Sequence, residues 1–197
     1  MIWWEKTVEY KFILSAATDK KLDFAAPLSG VQEHCFADGI FSSNYKIILI
    51  EFKRSYQELK TEEDKFVCYE KAKKEMSGRD THHYLVYGSE DVTGSLNLHA
   101  RNYFSQKNVP SVLSVLDHGM NNEEFKMYLC DLIGFKKVDG RSDGTLGPES
   151  TASVLGISSE SAKSVSLTEY VRIELPALYQ DLTPTKKLNK DMSFGLG

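Results

Sequence analysis

The octapeptide KIILIEFK, residues 46–53, restricts the fold of this chain more than any other feature. Four consecutive apolar residues between charges are typical of a strand buried inside a sheet. The strand nevertheless ends in Glu51-Phe52-Lys53. Because side chains alternate across a strand, Glu51 and Lys53 project from the same face. The pattern predicts either a solvated strand end or a strand that carries a charged site.

A second strand is predicted just before this one. Residues 33–41, EHCFADGIF, have strand composition, and residues 42–45, SSNY, suit a hairpin turn. A tight turn makes the two strands antiparallel, so Asp38 is expected to lie across from Glu51. Repulsion between two carboxylates raises the pKa of one of them unless a cation lies between them. The arrangement therefore favours a divalent ion such as Mg²⁺, which prefers oxygen ligands.

Apolar periodicity indicates further elements around these strands. In chain order they are a helix over 2–14 with Trp4, Val8 and Phe12 on one face, one or two helices over 53–74, a strand over 82–88, a strand over 111–119, and a helix over 121–135 capped by Asn121 or Asn122. The strand over 82–88 is expected to run parallel to its neighbour, because a long helical segment separates the two. The predicted fold class is α/β, with a mixed central sheet flanked by helices.

The composition changes after Val138. Of the 27 residues from 140 to 166, 12 are glycine or serine, which is typical of a linker. The sequence thus predicts an α/β domain over 1–138, a linker over 139–166 and a C-terminal segment over 167–197. Within that segment YVRIELPALY, residues 170–179, is expected to add an edge strand or to dock on the core or on a partner.

The overall composition bounds the class of protein. A hydrophobic content of 41% and a charged content of 26% are those of a soluble globular protein, and no apolar run approaches the roughly 20 residues that span a bilayer. The N-terminus lacks the features of a signal peptide, and three widely spaced cysteines suit reduced thiols. These features predict a cytoplasmic protein without a membrane partner. The net charge of −4 argues against bulk electrostatic binding of nucleic acid, but a small local patch or a partner subunit could still provide it.

Asp38, the triplet Glu51-Phe52-Lys53 and the strand–turn–strand between them resemble the PD-(D/E)XK, or restriction-endonuclease-like, nuclease superfamily. The core of that family is a helix, a three-strand meander, a helix and a strand. The chain contains five Glu-X-Lys triplets, but only the one at Glu51 follows an unbroken apolar strand with an aspartate on the strand before it. Ala37 stands where the family usually has proline.

The resemblance implies that Asp38 and Glu51 bind Mg²⁺ or Mn²⁺, with Phe52 as a further metal-binding position, and that Lys53 is the catalytic lysine. The family often adds an acid from the first helix; Glu5 is favoured over Glu9 because it lies closer to the centre of the apolar arc. The implied activity is hydrolysis of phosphodiester bonds in DNA, with RNA as the alternative. Small size and acidic charge suggest a homo-oligomer or a larger assembly, such as those of restriction, repair or phage defence.

Two other interpretations stay open. The chain could have a nuclease-like fold that no longer cuts and serves as a binding or regulatory subunit, or it could be an unrelated α/β interaction domain whose charges are solvated.

Tyr56 and Gln57, which open the helix after Lys53, could contact a phosphate or simply face solvent. His82 and His83 alternate across a strand and are predicted to be structural.

Overall fold

The structure, a computed structural model, describes residues 3–19, 23–25, 45–136, 152–159 and 161–182. In chain order the helices and strands of these residues are α1 (Glu5–Asp19), β1 (Asp23–Ala25), β2 (Lys46–Lys53), α2 (Tyr69–Met76), β3 (His83–Glu90), β4 (Leu96–Asn102), α3 (Asn122–Phe135), β5 (Ala152–Ile157), β6 (Ser161–Ser166), α4 (Leu167–Glu174) and α5 (Pro176–Leu182). A first 3₁₀ helix, Tyr56–Lys65, joins β2 to α2, and a second, Val112–Asp117, lies between β4 and α3. None of the described helices is long and apolar enough to cross a membrane.

The strands form one mixed sheet in the order β1-β6-β5-β2-β3-β4. β2 runs parallel to β3 and antiparallel to β5. The parallel pairing of β2 with β3 confirms the prediction from the helical segment between them, and the mixed sheet with flanking helices confirms the general fold class. β2 is a central strand, and all its residues except Lys46 are buried.

Two apolar clusters cover the two faces of the sheet. On one face Val8, Phe12 and Ala16 of α1 pack with Ile48, Ile50 and Phe52 of β2. On the other face Ile47 and Leu49 pack with residues of the first 3₁₀ helix, α2, α3 and α4. Trp4 was predicted on the apolar face of the first helix, but it precedes α1 and is 74% exposed. The buried arc therefore begins one turn later than the sequence predicted.

The linker predicted over 139–166 is wrong for the described residues of that range, because β5 and β6 lie there. β5 pairs with β2 from Lys46 to Glu51, and all six of its residues are buried. Its small residues lie opposite bulky ones, with Ser153 opposite Ile50 and Gly156 opposite Ile47. Small side chains in this strand accommodate large neighbours in β2, and the same composition is what suggested a linker.

Three further elements differ from the predictions. The strand predicted over 111–119 is instead the second 3₁₀ helix, which buries Leu113, Val115 and Leu116. β4 was not predicted, and its alternation is weak because only Ala100 is buried. The segment YVRIELPALY forms α4 and α5 and not an edge strand; Tyr170 and Val171 dock on the core. The helix over 121–135 is confirmed as α3, where the Asn121 side chain accepts a hydrogen bond from the amide of Glu124.

Candidate active site

Glu51 and Lys53 lie at the end of β2, on the face covered by the first 3₁₀ helix and α3. β3 pairs with β2 from Leu49 to Lys53, and β5 pairs with it from Lys46 to Glu51. Described strands thus pair with both edges of β2, and the prediction that residues 33–41 form its antiparallel neighbour is wrong, because that neighbour is β5. Asp38 lies outside the described residues, and its convergence with Glu51 stays a prediction.

Glu51 is 1% exposed and lies between two ammonium groups. Its Oε2 is 3.5 Å from Nζ of Lys65, at the end of the first 3₁₀ helix. Its Oε1 is 3.7 Å from Nζ of Lys136, which follows α3. Burial of a carboxylate is tolerated only when it is paired, and these two lysines supply the opposite charge.

Lys53 is also buried, at 6% exposure, and lies between two carboxylates. Its Nζ is 2.6 Å from Oε1 of Glu62 and 3.5 Å from Oε1 of Glu5. Glu5 is therefore the acid of α1 that reaches the lysine. Glu9 instead lies 2.6 Å from Nζ of Lys6 and accepts a hydrogen bond of 3.3 Å from the hydroxyl of Ser153.

Glu62 is a member of this charged set that the sequence reasoning missed. It contacts Nζ of Lys65 at 2.8 Å and accepts a hydrogen bond of 2.8 Å from the hydroxyl of Tyr103. Burial alone would raise the pKa of Glu62, but Lys65, Lys53 and Lys136 outweigh it and lower the pKa to about 2. Glu62 is thus ionised at neutral pH. Its spacing of three residues from the buried Leu59 was a usable signal, because residues i and i+3 share a face of a 3₁₀ helix.

Lys65 and Tyr103 complete the protonation pattern. Burial alone would lower the pKa of Lys65, but Glu51 and Glu62 raise it well above its usual range. Burial, followed by the charge of Glu62, raises the pKa of Tyr103 well above its usual range. At neutral pH Lys65 is therefore a cation and Tyr103 a neutral hydrogen-bond donor. Glu62 and Lys65 thus form a charged pair, and Tyr103 donates its hydroxyl proton to the Glu62 carboxylate.

Phe52 has no side-chain role in metal binding. Its ring lies on the opposite face of the sheet and packs edge-on against Phe12, with ring centroids 5.7 Å apart. The ring has no ligand atom, so any contact of Phe52 with a metal ion would have to come from its main-chain carbonyl oxygen.

Donor chemistry decides whether a divalent ion fits the site. No group of three or more histidine, cysteine, aspartate or glutamate side chains suited to a metal occurs within residues 3–19, 23–25, 45–136, 152–159 and 161–182. Carboxylates of Glu51 and Glu62 nevertheless lie within 3.5 Å of one atom, Nζ of Lys65. Carboxylate oxygens are ligands that Mg²⁺ prefers. The carboxylates of Glu51 and Glu62 are therefore suitable ligands for Mg²⁺. In this structure the ammonium group of Lys65 occupies the position that such an ion would take.

Glu5 provides an approach to this buried set from the surface. Together with Trp4, Glu9 and Arg54 it lines a cleft of about 500 Å³. Its side chain is 28% exposed, whereas that of Lys53 is 7% exposed. A molecule in this cleft would therefore have to pass Glu5 to reach the ammonium group of Lys53.

Comparisons with protein-family models, with curated proteins and with solved structures find no match to this chain.

Proposed function

We propose that this protein is a metal-dependent nuclease that hydrolyses phosphodiester bonds in DNA, with RNA as the alternative substrate. The observation that carries the proposal is the contact of Glu5 of α1 with Lys53, which shares a face of β2 with Glu51. A helix acid, a strand acid and a strand lysine are the set that the resemblance to PD-(D/E)XK nucleases implies.

Burial separates this set from an ordinary strand end. Solvated charges at a strand end gain little from pairing, and they keep their hydration. Glu51 and Lys53 are 1% and 6% exposed, so both have lost most of their contact with water. Desolvation of charges costs several kcal/mol per ion in proteins. A fold that retains both charges inside its sheet is better explained by a chemical role than by chance.

The proposal assigns a role to each group. Glu51, Glu62, Asp38 and the main-chain carbonyl of Phe52 would hold Mg²⁺ or Mn²⁺. When bound, such an ion activates water and neutralises charge on a phosphate. Lys53 presents a fixed positive charge to the phosphate oxygens. Glu5 orients the Lys53 ammonium group through their 3.5 Å contact.

The proposal also includes the restriction-endonuclease-like core, the cytoplasmic location and the assembly that the sequence predicted. The chain order of α1, β2, the helical segment 56–76 and β3 supports the restriction-endonuclease-like part of the proposal, although the antiparallel neighbour of β2 is β5 and not the preceding strand of the predicted meander. Cytoplasmic location and action within a homo-oligomer or a defence assembly rest on the sequence alone.

A second candidate function is a nuclease-like binding or regulatory subunit that does not cut. The contacts of Lys65 and Lys136 with Glu51 favour it, because ammonium groups already neutralise the acid that would otherwise hold a metal. In this alternative the charged set stabilises the fold, and a divalent ion that binds there does not lead to cutting.

One cleavage experiment separates these functions. Plasmid, single-stranded DNA and RNA are incubated with the protein in Mg²⁺, in Mn²⁺ and in EDTA, beside Lys53→Met and Asp38→Asn. Lys11→Met is the matched control, since Lys11 ends a different Glu-X-Lys triplet at an exposed position of α1. Circular dichroism verifies that each variant is folded.

We expect metal-dependent cutting that both site variants lose and the control keeps. Cutting that survives in Lys53→Met and Asp38→Asn would overturn the assignment of the site. Metal binding without cutting supports the second candidate, and absence of both supports an unrelated α/β interaction domain.

A further inference from the structure

A cleft of about 470 Å³ opens beside the candidate active site. The first 3₁₀ helix, α2 and β4 contribute its main aromatic and charged side chains: Tyr56, Lys60, Glu62, Tyr69, Lys73 and Arg101. Glu62 lines the cleft and also contacts Nζ of Lys53 at 2.6 Å. The cleft is thus in direct contact with the charged set.

Two tyrosine rings give the cleft flat aromatic surfaces. Tyr56 is 53% exposed, and its ring has Tyr87 at its edge, with centroids 5.6 Å apart. Tyr69 is half-buried and lies nearly parallel to Phe104, with an interplanar angle of 25°. Neighbouring rings hold both tyrosines in place, and a base that stacked on them would need little reordering of the protein.

Arg101 supplies a cation whose charge is not neutralised by a carboxylate of the described residues. Its guanidinium group lies 5.2 Å from the centroid of the Tyr56 ring. It donates hydrogen bonds to the amide oxygens of Gln106 at 3.1 Å and Asn108 at 3.0 Å. Both acceptors are neutral, so the full positive charge of Arg101 remains available to an anion.

The other charges of the cleft also favour an anion. Within the described ranges no carboxylate forms an ion pair with Lys60 or Lys73, whereas Glu62 is paired with Lys53 and Lys65. Glu63, whose side chain is exposed, is the remaining acid of the lining. The cleft therefore carries a local positive excess on a chain whose net charge is −4.

We propose that this cleft binds a nucleotide unit of single-stranded nucleic acid, with a base stacked on Tyr56 or Tyr69 and phosphates contacted by Lys60, Lys73 and Arg101. Aromatic platforms combined with cations are the general means by which proteins hold single strands. A base in a duplex has no free face for such a ring, so an unpaired strand is the preferred ligand. This proposal depends on the proposed nuclease function in one respect: the bound single strand is taken to be the substrate that is cut.

The test measures binding without cutting. Fluorescence anisotropy follows full-length protein with labelled single-stranded DNA or RNA of roughly 10 nucleotides, within the usual range of site sizes, in EDTA. Lys73→Gln is compared with Lys74→Gln, which removes the same charge from an exposed position of α2 outside the cleft. Tyr56→Ala is compared with Tyr56→Phe, which keeps the ring. The duplex of the same sequence and a mononucleotide are the competing ligands.

We expect Tyr56→Ala to weaken binding roughly tenfold. Lys73→Gln should weaken it several-fold and reduce the slope of log affinity against log salt by about 0.7. Tyr56→Phe and Lys74→Gln should stay within about twofold of the wild type. The single strand should bind more tightly than the duplex or the mononucleotide.

Equal losses in Lys73→Gln and Lys74→Gln, or unchanged binding in Tyr56→Ala, would overturn the proposal. So would tighter binding of the duplex, or of the mononucleotide alone. The nuclease proposal fails separately: strand binding that depends on the cleft, without any metal-dependent cutting, refutes the nuclease and leaves the cleft. Cutting that is unchanged in Tyr56→Ala and Lys73→Gln refutes the binding role of the cleft and does not affect the nuclease proposal.

Discussion

Nζ of Lys53 lies 2.6 Å from Oε1 of Glu62, and both side chains are almost completely buried. This ion pair connects β2 to the first 3₁₀ helix, which is the element that follows β2 in the sequence. Tyr103, which directly follows β4, donates a further hydrogen bond to the same carboxylate. A pair of this kind is costly to break from one side, because the remaining charge stays buried.

Glu62→Gln should therefore destabilise the protein strongly. Removing one partner of a buried ion pair costs roughly 3–5 kcal/mol of unfolding free energy, which urea unfolding at pH 7 measures. Glu63→Gln is the matched control, since the adjacent side chain is exposed; its effect should stay within about 0.5 kcal/mol. Equal effects of the two variants would contradict the buried pair.

Glu62 should also contribute to acid sensitivity. Its pKa is about 2 in the folded protein against an ordinary value of 4.5. A lowered carboxyl pKa contributes stability that is full above the ordinary value and is lost as the pH falls toward the folded value. Wild-type stability should thus fall between about pH 5 and pH 2, and Glu62→Gln should show a shallower fall in that window.

His82 should make the protein sensitive to acid in a higher range. Neither of its ring nitrogens has a hydrogen-bond partner in the described part of the chain, and its ring packs 4.3 Å from that of Tyr128. Burial, followed by the charge of Arg79, lowers the pKa of His82 from 6.5 to about 4. The unfolded chain binds more protons between these values, so stability should fall as the pH drops from 6.5 to 4.

The size of that effect is on the order of 3 kcal/mol. Urea unfolding of His82→Phe between pH 7 and pH 4 should show a weaker pH dependence than the wild type. The buried His83, whose pKa burial also lowers, keeps part of the dependence. His118→Gln, at an exposed position, is the control and should retain the wild-type slope. An unchanged slope in His82→Phe would show that this ring does not titrate as argued.

Predictions from the sequence were most accurate for elements whose own residues determine whether they are buried. β2 was predictable because an unbroken apolar run at strand length has few alternatives. The position of Glu5 near the apolar arc of its helix agrees with its contact with Lys53, whereas its role stays a prediction. β5 was not predictable, because its burial depends on β2 beside it and its own composition is that of a linker. Glu62 stands in a row of three acids, and its spacing of three residues from Leu59 distinguishes it only if Leu59 is known to be buried.

A truncation tests the role of β5 directly. A chain that ends after residue 151 lacks β5, β6, α4 and α5, which removes the antiparallel neighbour of β2 and leaves the edge of β2 and part of the apolar core exposed. We expect this chain to be insoluble or to lack a cooperative thermal transition, because exposed strand edges promote aggregation. A chain that ends after Leu182 keeps every described element and should melt as the full chain does.

The two acids of α1 offer a matched test of the catalytic proposal. Glu5 contacts Lys53, whereas Glu9 contacts Lys6 one turn earlier in the same helix. If cutting depends on Lys53, Glu5→Gln should lower the rate about 10–100-fold, the usual effect of removing a group that orients a functional side chain. Glu9→Gln should leave the rate near that of the wild type. Initial rates at saturating Mg²⁺ measure both, and equal rates would separate Glu5 from the chemistry.

Lys65 decides whether the acids around it can hold a metal. Its ammonium group lies 2.8 Å from Glu62 and 3.5 Å from Glu51, so Lys65→Met leaves two buried carboxylates beside each other. Their repulsion should lower the melting temperature in EDTA, and a divalent ion that bound between them should restore it, because a ligand of the folded state stabilises it. Mg²⁺ or Mn²⁺ should thus raise the melting temperature of Lys65→Met more than that of Lys60→Met, whose lysine is exposed. If neither ion restores Lys65→Met, the acids serve only to hold the lysines, and the subunit that does not cut becomes the better account of the fold.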